Sequence, residues 1–325
     1  MSIERQQMHH VNVSDARSFV ERVLIGNGCL VDADLAGVDT HGMNRIQSYM
    51  ARVREGVLDA TASPTIHQVT PAVAQHNGSG FLAASMGMAA AIDMASKIGV
   101  GLVSVKHSNH FGMSAWVVHQ ALDADMMSLV FTNSSPALPA WGGRSKLMGI
   151  SPIACGAPAG NKGRPGEKVP SDWALSKDGR RTEDPAEAFE GVMLPMGGPK
   201  GSALAIMMDV FSGVFSGSAF AGHVTNPYDP TKPADVGHFL VAIKPGLFVT
   251  IENFRQRMDY LYHRVVGSDK MEGTERIYFP GEIEDLNKEE RIPLLDAEVE
   301  ALNQEAARVG AAPLTTTPPA TNARL

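Results

Sequence analysis

The chain has 325 residues, with 28 Lys+Arg against 35 Asp+Glu and a formal net charge of −7. That balance excludes the broad basic face needed to bind nucleic acid or an anionic membrane surface, and a hydrophobic share of 44% excludes a disordered chain. Two cysteines, Cys29 and Cys155, cannot build a disulfide framework.

The length suggests roughly two domains or one large α/β domain with an appendage. No stretch reaches about 18 uninterrupted apolar residues, and residues 1–10 are polar without a leader-type apolar core. A reducing, cytoplasmic setting with no membrane partner is therefore expected.

Residues 13–28 read as a helix: Ser14 or Asp15 can cap it, Phe19, Val23 and Leu24 give an apolar face, and Gly26 and Gly28 close it. Residues 29–35 read as a second helix, and Asp39 and Thr40 precede a third over 42–54. Residues 65–75 alternate loosely and end in the turn cluster His76-Asn77-Gly78-Ser79-Gly80, which predicts a strand or hairpin edge. An Ala- and Met-rich helix over 81–98 follows. Residues 101–105, 114–124 and 127–132 then read strand, helix, strand, the signature of an α/β protein. Residues 134–161 are Pro/Gly-rich loop with a short strand at 153–155, and 160–181 are polar and loop-like. Gly197 to Gly201 open a helix over 202–215, followed by a strand at 239–244, a helix at 249–263, a strand at 276–279 and a helix at 294–309. The Thr- and Pro-containing stretch 315–325 predicts a disordered tail.

Three stretches carry residues suited to chemistry. His41, Arg45 and Tyr49 stand at i, i+4 and i+8, which on one helix is a single face. An imidazole, a guanidinium that binds a carboxylate in a plane and a phenol suit an organic acid. On spacing alone a solvated helix face with incidental polar residues is the commoner reading. His107-Ser108-Asn109-His110-Phe111-Gly112 follows the strand at 101–105 directly, and polar residues at such strand ends form sites. His110 there can exchange a proton with a hydroxyl or carbonyl, or hydrogen-bond to backbone as an ordinary loop histidine. No Cys or acidic cluster completes a metal set around it. Pro195-Met196-Gly197-Gly198-Pro199-Lys200-Gly201-Ser202 puts glycines and a lysine at a helix start, which suits a phosphate without being a Walker A loop. Gly78-Ser79-Gly80-Phe81-Leu82-Ala83 matches a relaxed dinucleotide pattern, but Lys106 and His107 stand where the acidic residue belongs, so it reads as a turn.

Taken in order, six segments resemble the type-2 malate/L-lactate dehydrogenase family of NAD(P)-dependent oxidoreductases. They are Ala33 through Gly42 with Arg45 and Tyr49, His107 through Gly112, Thr132-Asn133-Ser134, Trp141-Gly142-Gly143 through Ser151-Pro152-Ile153-Ala154, Leu194 through Gly201, and Phe279-Pro280-Gly281-Glu282. The resemblance implies a three-layer α/β/α fold around a mixed, non-Rossmann sheet with a helical subdomain. It divides the chain into a helical segment 1–62 that supplies substrate-site residues, an α/β cofactor-binding core 63–312 and the tail 313–325. It assigns His110 and His41 as catalytic, Arg45 and Tyr49 as substrate-binding, and Ser134, Lys200, Gly281 and Glu282 as contacts to NAD or NADP. It implies a homodimer that acts on a small 2-hydroxy or 2-oxo acid such as malate or lactate, and assigns no metal.

Two departures stand out. About ten residues expected between Gly28 and Cys29 are absent. Ala157-Pro158-Ala159-Gly160-Asn161 runs almost directly into Gly166-Glu167-Lys168-Val169-Pro170, where the family has an Asp-Met-Ala-Thr-Ser-like segment that contacts the cofactor. The alternatives to a 2-hydroxy acid dehydrogenase are a reductase of ring imines bearing a carboxylate, and a non-catalytic dimeric binding protein in which that wall is lost.

Overall fold

The computed structural model describes residues 8–24, 29–62, 64–78, 80, 82–158, 174–182, 192–286 and 291–316. Gly26, Gly28, the shortened stretch after Pro158, Ser79 and Phe81 of the glycine-rich turn, and the tail from 317 lie outside these residues.

In chain order the elements are β1 (Met8–Asn12), α1 (Val13–Leu24), α2 (Cys29–Leu35), α3 (Ile46–Arg54), β2 (Thr65–Thr70), β3 (Val73–Asn77), α4 (Ala83–Ile98), β4 (Val100–Ser108), α5 (Ser114–Asp123), β5 (Met127–Thr132), β6 (Ile153–Gly156), β7 (Ala174–Leu175), β8 (Val192–Met193), α6 (Pro199–Asp209), β9 (Val236–Ile243), α7 (Ile251–Val266), α8 (Glu282–Leu286), β10 (Arg291–Leu295) and α9 (Asp296–Arg308). The chain divides into two compact units: 1–54 with 160–165 and 259–325, and 55–159 with 166–258.

The larger unit is built on a mixed sheet ordered β2-β3-β4-β9-β5-β6. Only the β3–β4 pair is parallel. Side chains alternate across a strand, so register assigns each face. Ala74, Val103, Leu240 and Val130 fall on one face and share a core with Met88, Ala91, Val117 and Ala121 of α4 and α5. Phe131 and Phe239 fall on the other, stacked with centroids 5.9 Å apart, and meet Phe211 and Phe215 from the segment after α6. Helices thus cover both faces, as expected for an α/β/α arrangement.

The smaller unit pairs β1 with β10, antiparallel, from Met8↔Leu295 to Asn12↔Arg291. That pairing draws the C-terminal segment to the N-terminal one, a grouping the sequence reading, with its core over 63–312, did not contain. Glu305 on α9 is fully buried and accepts from Arg54 at the end of α3 (2.5 Å) and from Arg308 (2.5 Å). A buried carboxylate needs such partners.

Several elements differ from expectation. Neither β1 nor β10 was expected; both are short and flanked by polar residues. The predicted strand at 276–279 is irregular chain, because its backbone is recruited to Glu282 rather than to a neighbouring strand. The helix expected over 202–215 starts earlier, at Pro199, and loosens into a π turn at Val210–Val214. There Asp209 accepts from Asn133 Nδ2 (3.2 Å) and the Ala221 backbone N–H (2.7 Å).

Gly101 shows how closely α4 rides on the sheet. A Cβ added there would lie 2.0 Å from the Ala91 carbonyl oxygen, whereas one at Gly246 meets nothing within 4 Å. Gly101→Ala is expected to cost about 3 kcal/mol by forcing helix and strand apart, with Gly246→Ala near neutral. Denaturant melts of both variants check this, and equal midpoints would refute it.

Candidate active site

In the smaller unit, the expected single helical face does not form. Asp39–His41 and Met43–Arg45 are separate 3-10 turns, broken at Gly42 (φ −89°, ψ −155°), and α3 begins only at Ile46. The break has an identifiable cause in Asp34. This α2 residue is 7% exposed, and its Oδ2 accepts from the Met43 backbone N–H at 2.8 Å. A Cβ at Gly42 would sit 1.5 Å from the Asp34 carboxylate. Only glycine therefore lets the turn close on the acid.

His41 and Arg45 stay neighbours within this turn. His41 is half-buried, with Nδ1 2.9 Å from Thr40 Oγ1. Burial, then the Arg45 guanidinium, push its pKa below the usual imidazole value. Arg45 Nε donates to the Thr40 carbonyl at 2.5 Å. Tyr49, placed beside Arg45 by the spacing, is instead 1% exposed within the packed part of α3.

In the larger unit, β4 ends in a bulge between Val105 and Ser108. His107 sits at the bulge with φ +53° and pairs with Asp235, also at φ +53°, at 2.7 Å. Two non-glycine residues in left-handed conformation mark local strain. Ser218 Oγ accepts from the His107 backbone N–H at 2.8 Å. His110 is half-buried between buried Asn109 and Phe111, and its Nδ1 accepts from the Gly112 backbone N–H at 3.3 Å. The neutral ring therefore carries its proton on Nε2.

At the end of β5, Thr132 and Asn133 face inward. Asn133 accepts from the Gly237 backbone N–H (3.0 Å) and donates to the Ala219 carbonyl (2.7 Å). Ser134 is half-buried just beyond them. Lys200 is exposed in the first turn of α6, after Gly197 and Gly198 at φ +63° and +64°. A lysine at a helix start adds its charge to the positive end of the helix dipole.

Gly281 lies in the smaller unit at φ +88°. Glu282, expected to touch cofactor, is 1% exposed. One oxygen accepts from Arg276 and from the Tyr262 hydroxyl (3.1 Å), the other from the Phe279 backbone N–H (2.9 Å). Its carboxylate is committed to folding its own loop.

Sequence reasoning missed Asp34, Asp235 and His238. His238 is fully buried on β9, with Nδ1 2.8 Å from Thr132 Oγ1 and Nε2 2.9 Å from Ser108 Oγ. Its one signal was a lone histidine opening an apolar run.

Comparison with known proteins places the chain in a family. The family model described as malate/L-lactate dehydrogenase matches residues 13–165 and 161–303. The chain is 34% identical to L-sulfolactate dehydrogenase of Methanocaldococcus jannaschii over 284 residues, covering 80% of this chain and 82% of that one. It is 32% identical to malate dehydrogenase of Pyrococcus abyssi over 340 residues, covering 90% and 93%. The solved structure of the Methanocaldococcus jannaschii sulfolactate dehydrogenase superposes with a TM-score of 0.84 at 28% identity, covering 93% of this chain and 98% of that one. Further relatives carry NADP(+) or NAD(+) in their names. A match over 340 residues exceeds the 325 of this chain, so internal positions of that relative have no counterpart here. The two family matches meet at 161–165, beside the shortened stretch.

Asp34 has a testable electrostatic consequence. Burial pushes its pKa up to about 8 against the lowering effect of the Met43 N–H, so the acid is protonated in the folded protein at neutral pH. The unfolded chain releases that proton near pH 4. Between these values the folded state binds more protons, and stability falls as pH rises by up to about 1.4 kcal/mol per unit. Asp34→Asn removes this slope. Thermal melts from pH 5 to 8 should show the variant gaining on wild type as pH rises, whereas parallel curves would contradict the assignment.

Proposed function

The chain belongs to the malate/L-lactate dehydrogenase family, and we propose that it interconverts a 2-hydroxy acid and its 2-oxo acid using NAD or NADP, with His110 as the proton-transfer group. The observation that carries the reading is the ring orientation of His110. Its Nδ1 is turned to the Gly112 N–H, so Nε2 is the atom through which a substrate proton would pass. The 3.3 Å contact is long enough to give way when the ring takes a second proton.

The nicotinamide group supplies hydride transfer at carbon. Two features of the chain suit it: the glycine turn before α6 and the exposed Lys200, a cationic helix start fit for a phosphate. Ser134 and the backbone at Gly281 are the further proposed contacts. In the reducing direction the imidazolium of His110 donates its Nε2 proton to the developing alkoxide, leaving the proton on Nδ1 with the Gly112 contact broken; in the oxidising direction that Nδ1–H ring takes the hydroxyl proton on Nε2. Arg45 holds the substrate carboxylate in a fixed plane, which a guanidinium does better than a point charge. His41, held below its usual pKa, is a neutral donor at working pH rather than a second cation.

A second copy of the chain is the proposed partner. The middle of helix α6, Ala203 to Met208, is apolar throughout, and Leu204, Ile206 and Met207 on its outer side are 41%, 46% and 49% exposed, with Phe215 just beyond it at 62%. A helix apolar all round is normally covered. Among the described residues no helix is long and apolar enough to cross a membrane. With two cysteines, neither in a disulfide, a reducing cytoplasmic setting is proposed.

His110→Ala is expected to lower kcat by roughly 10²–10⁴-fold while NADH and NADPH still quench or shift in fluorescence titration. Arg45→Lys is expected to raise KM for the acid substrate with kcat less affected. The assay is a panel of malate, lactate and sulfolactate with both cofactors. Unchanged kcat in His110→Ala would remove it from the chemistry, and failure to bind either cofactor would favour a non-catalytic binding protein. Met207→Asp is expected to convert a dimer to monomer in sedimentation; an unchanged mass would place the interface elsewhere.

A further inference from the structure

We propose that His238 is a positioning residue that fixes the His110 loop and locks it to the loop bearing Ser134. The proposal rests on the reading of His110 given above. The loop from 108 to 111 touches the His238 ring on both sides of His110. Ser108 Oγ lies 2.9 Å from Nε2, and the Phe111 ring meets the imidazole edge-on, centroids 4.7 Å apart at 82°. On its opposite nitrogen the same ring reaches Thr132 Oγ1 at 2.8 Å, two residues before Ser134. One buried side chain therefore holds two strand ends, β4 and β5, that are not neighbours in the sheet.

The hydrogen bonds form a chain with one consistent direction. Thr132 Oγ1 lies within reach of the Gly237 carbonyl (3.3 Å) and the Asn133 carbonyl (3.1 Å), and its single proton goes to one of them. Thr132 then accepts from His238 Nδ1–H, which leaves Nε2 to accept from the Ser108 hydroxyl. The neutral ring this requires matches its setting: burial, and then nearby His76, push its pKa down to about 3. His76, Val105, His238 and Thr132 form one row across β3, β4, β9 and β5, facing α4. The fully buried His238 ring is costly there unless both its nitrogens are bonded, and both are.

The two limbs of the ring should have separable effects. His238→Asn keeps a polar nitrogen near Nδ1 and loses the Ser108 limb; His238→Gln places its amide near Nε2 instead. With oxaloacetate as the probe acid and NADH and NADPH as cofactors, Ser108→Ala and His238→Asn are each expected to lower kcat roughly tenfold to a hundredfold, with KM values changed less than about threefold. The double variant loses no more than the worse single one, because both remove the same bond. His238→Gln recovers most of the kcat loss. Thr132→Val shows the opposite split, a raised cofactor KM. In a His110→Ala background, His238→Asn changes the residual rate little, because it acts through His110. Circular dichroism checks the fold, and Ser108→Ala carries the test if the His238 variants do not fold. Wild-type kcat in Ser108→Ala overturns the proposal, as does an equal loss from His238→Asn with and without His110. A fully active His110→Ala would instead defeat the parent reading, and additive Ser108 and His238 losses would then defeat the positioning role independently.

Discussion

The larger unit depends on the insertion of one antiparallel strand. β9 lies between β4 and β5 and pairs with both, from Val100↔Ile243 to Ser108↔Val236 on one side and from Met127↔Ile243 to Thr132↔His238 on the other. All but its last residue are buried. β4 and β5 therefore end at the same edge, where β9 begins. The bulge at His107, the loop of His110, the Thr132–Ser134 turn and His238 gather there for that reason alone.

Buried polar groups then hold the turns that backbone pairing leaves undefined. Asp34 shapes the turn between His41 and Arg45 through the Met43 N–H. Glu282 closes its own loop on Tyr262, Arg276 and Phe279. Glu305 ties α3 to α9 through Arg54. Asn133 fastens β5 to the start of β9 and to the chain around Ala219. Each such group costs free energy to bury and recovers it only with all partners present. The turns they hold are accordingly specific rather than merely compact.

This arrangement separates two kinds of polar residue in similar motifs. Thr132 and Asn133 stand in a stretch whose short side chains suit a ribose or phosphate, yet both are consumed inside the protein. Ser134, one residue further, is the half-buried one. Glu282 is likewise internal, while Lys200 is exposed at its helix start. Motif membership did not predict which residue of each motif faces out; pairing register and burial did.

The helices and central strands were legible because their signals are local. The apolar run ending at Thr132 marked β5 to the residue, and Ala-rich periodicity marked α4 to within two residues at its start. The histidine loop after β4 was legible too, since polar residues following an apolar strand place themselves at its end. What the sequence could not carry was anything requiring two distant segments. The β1–β10 pair joins residues 287 apart, as at Met8 and Leu295. The break at Gly42 depends on an acid eight residues earlier folding back on it, so the regular spacing of His41, Arg45 and Tyr49 suggested one face that the chain never forms. The sequence by itself determined most of the helices, the central strands, the α/β class and the family motifs, because propensity and periodicity act over a few residues. The tertiary structure decided which strand separates β4 from β5, and which buried ring or carboxylate holds each turn, because those contacts exist only once remote segments have packed.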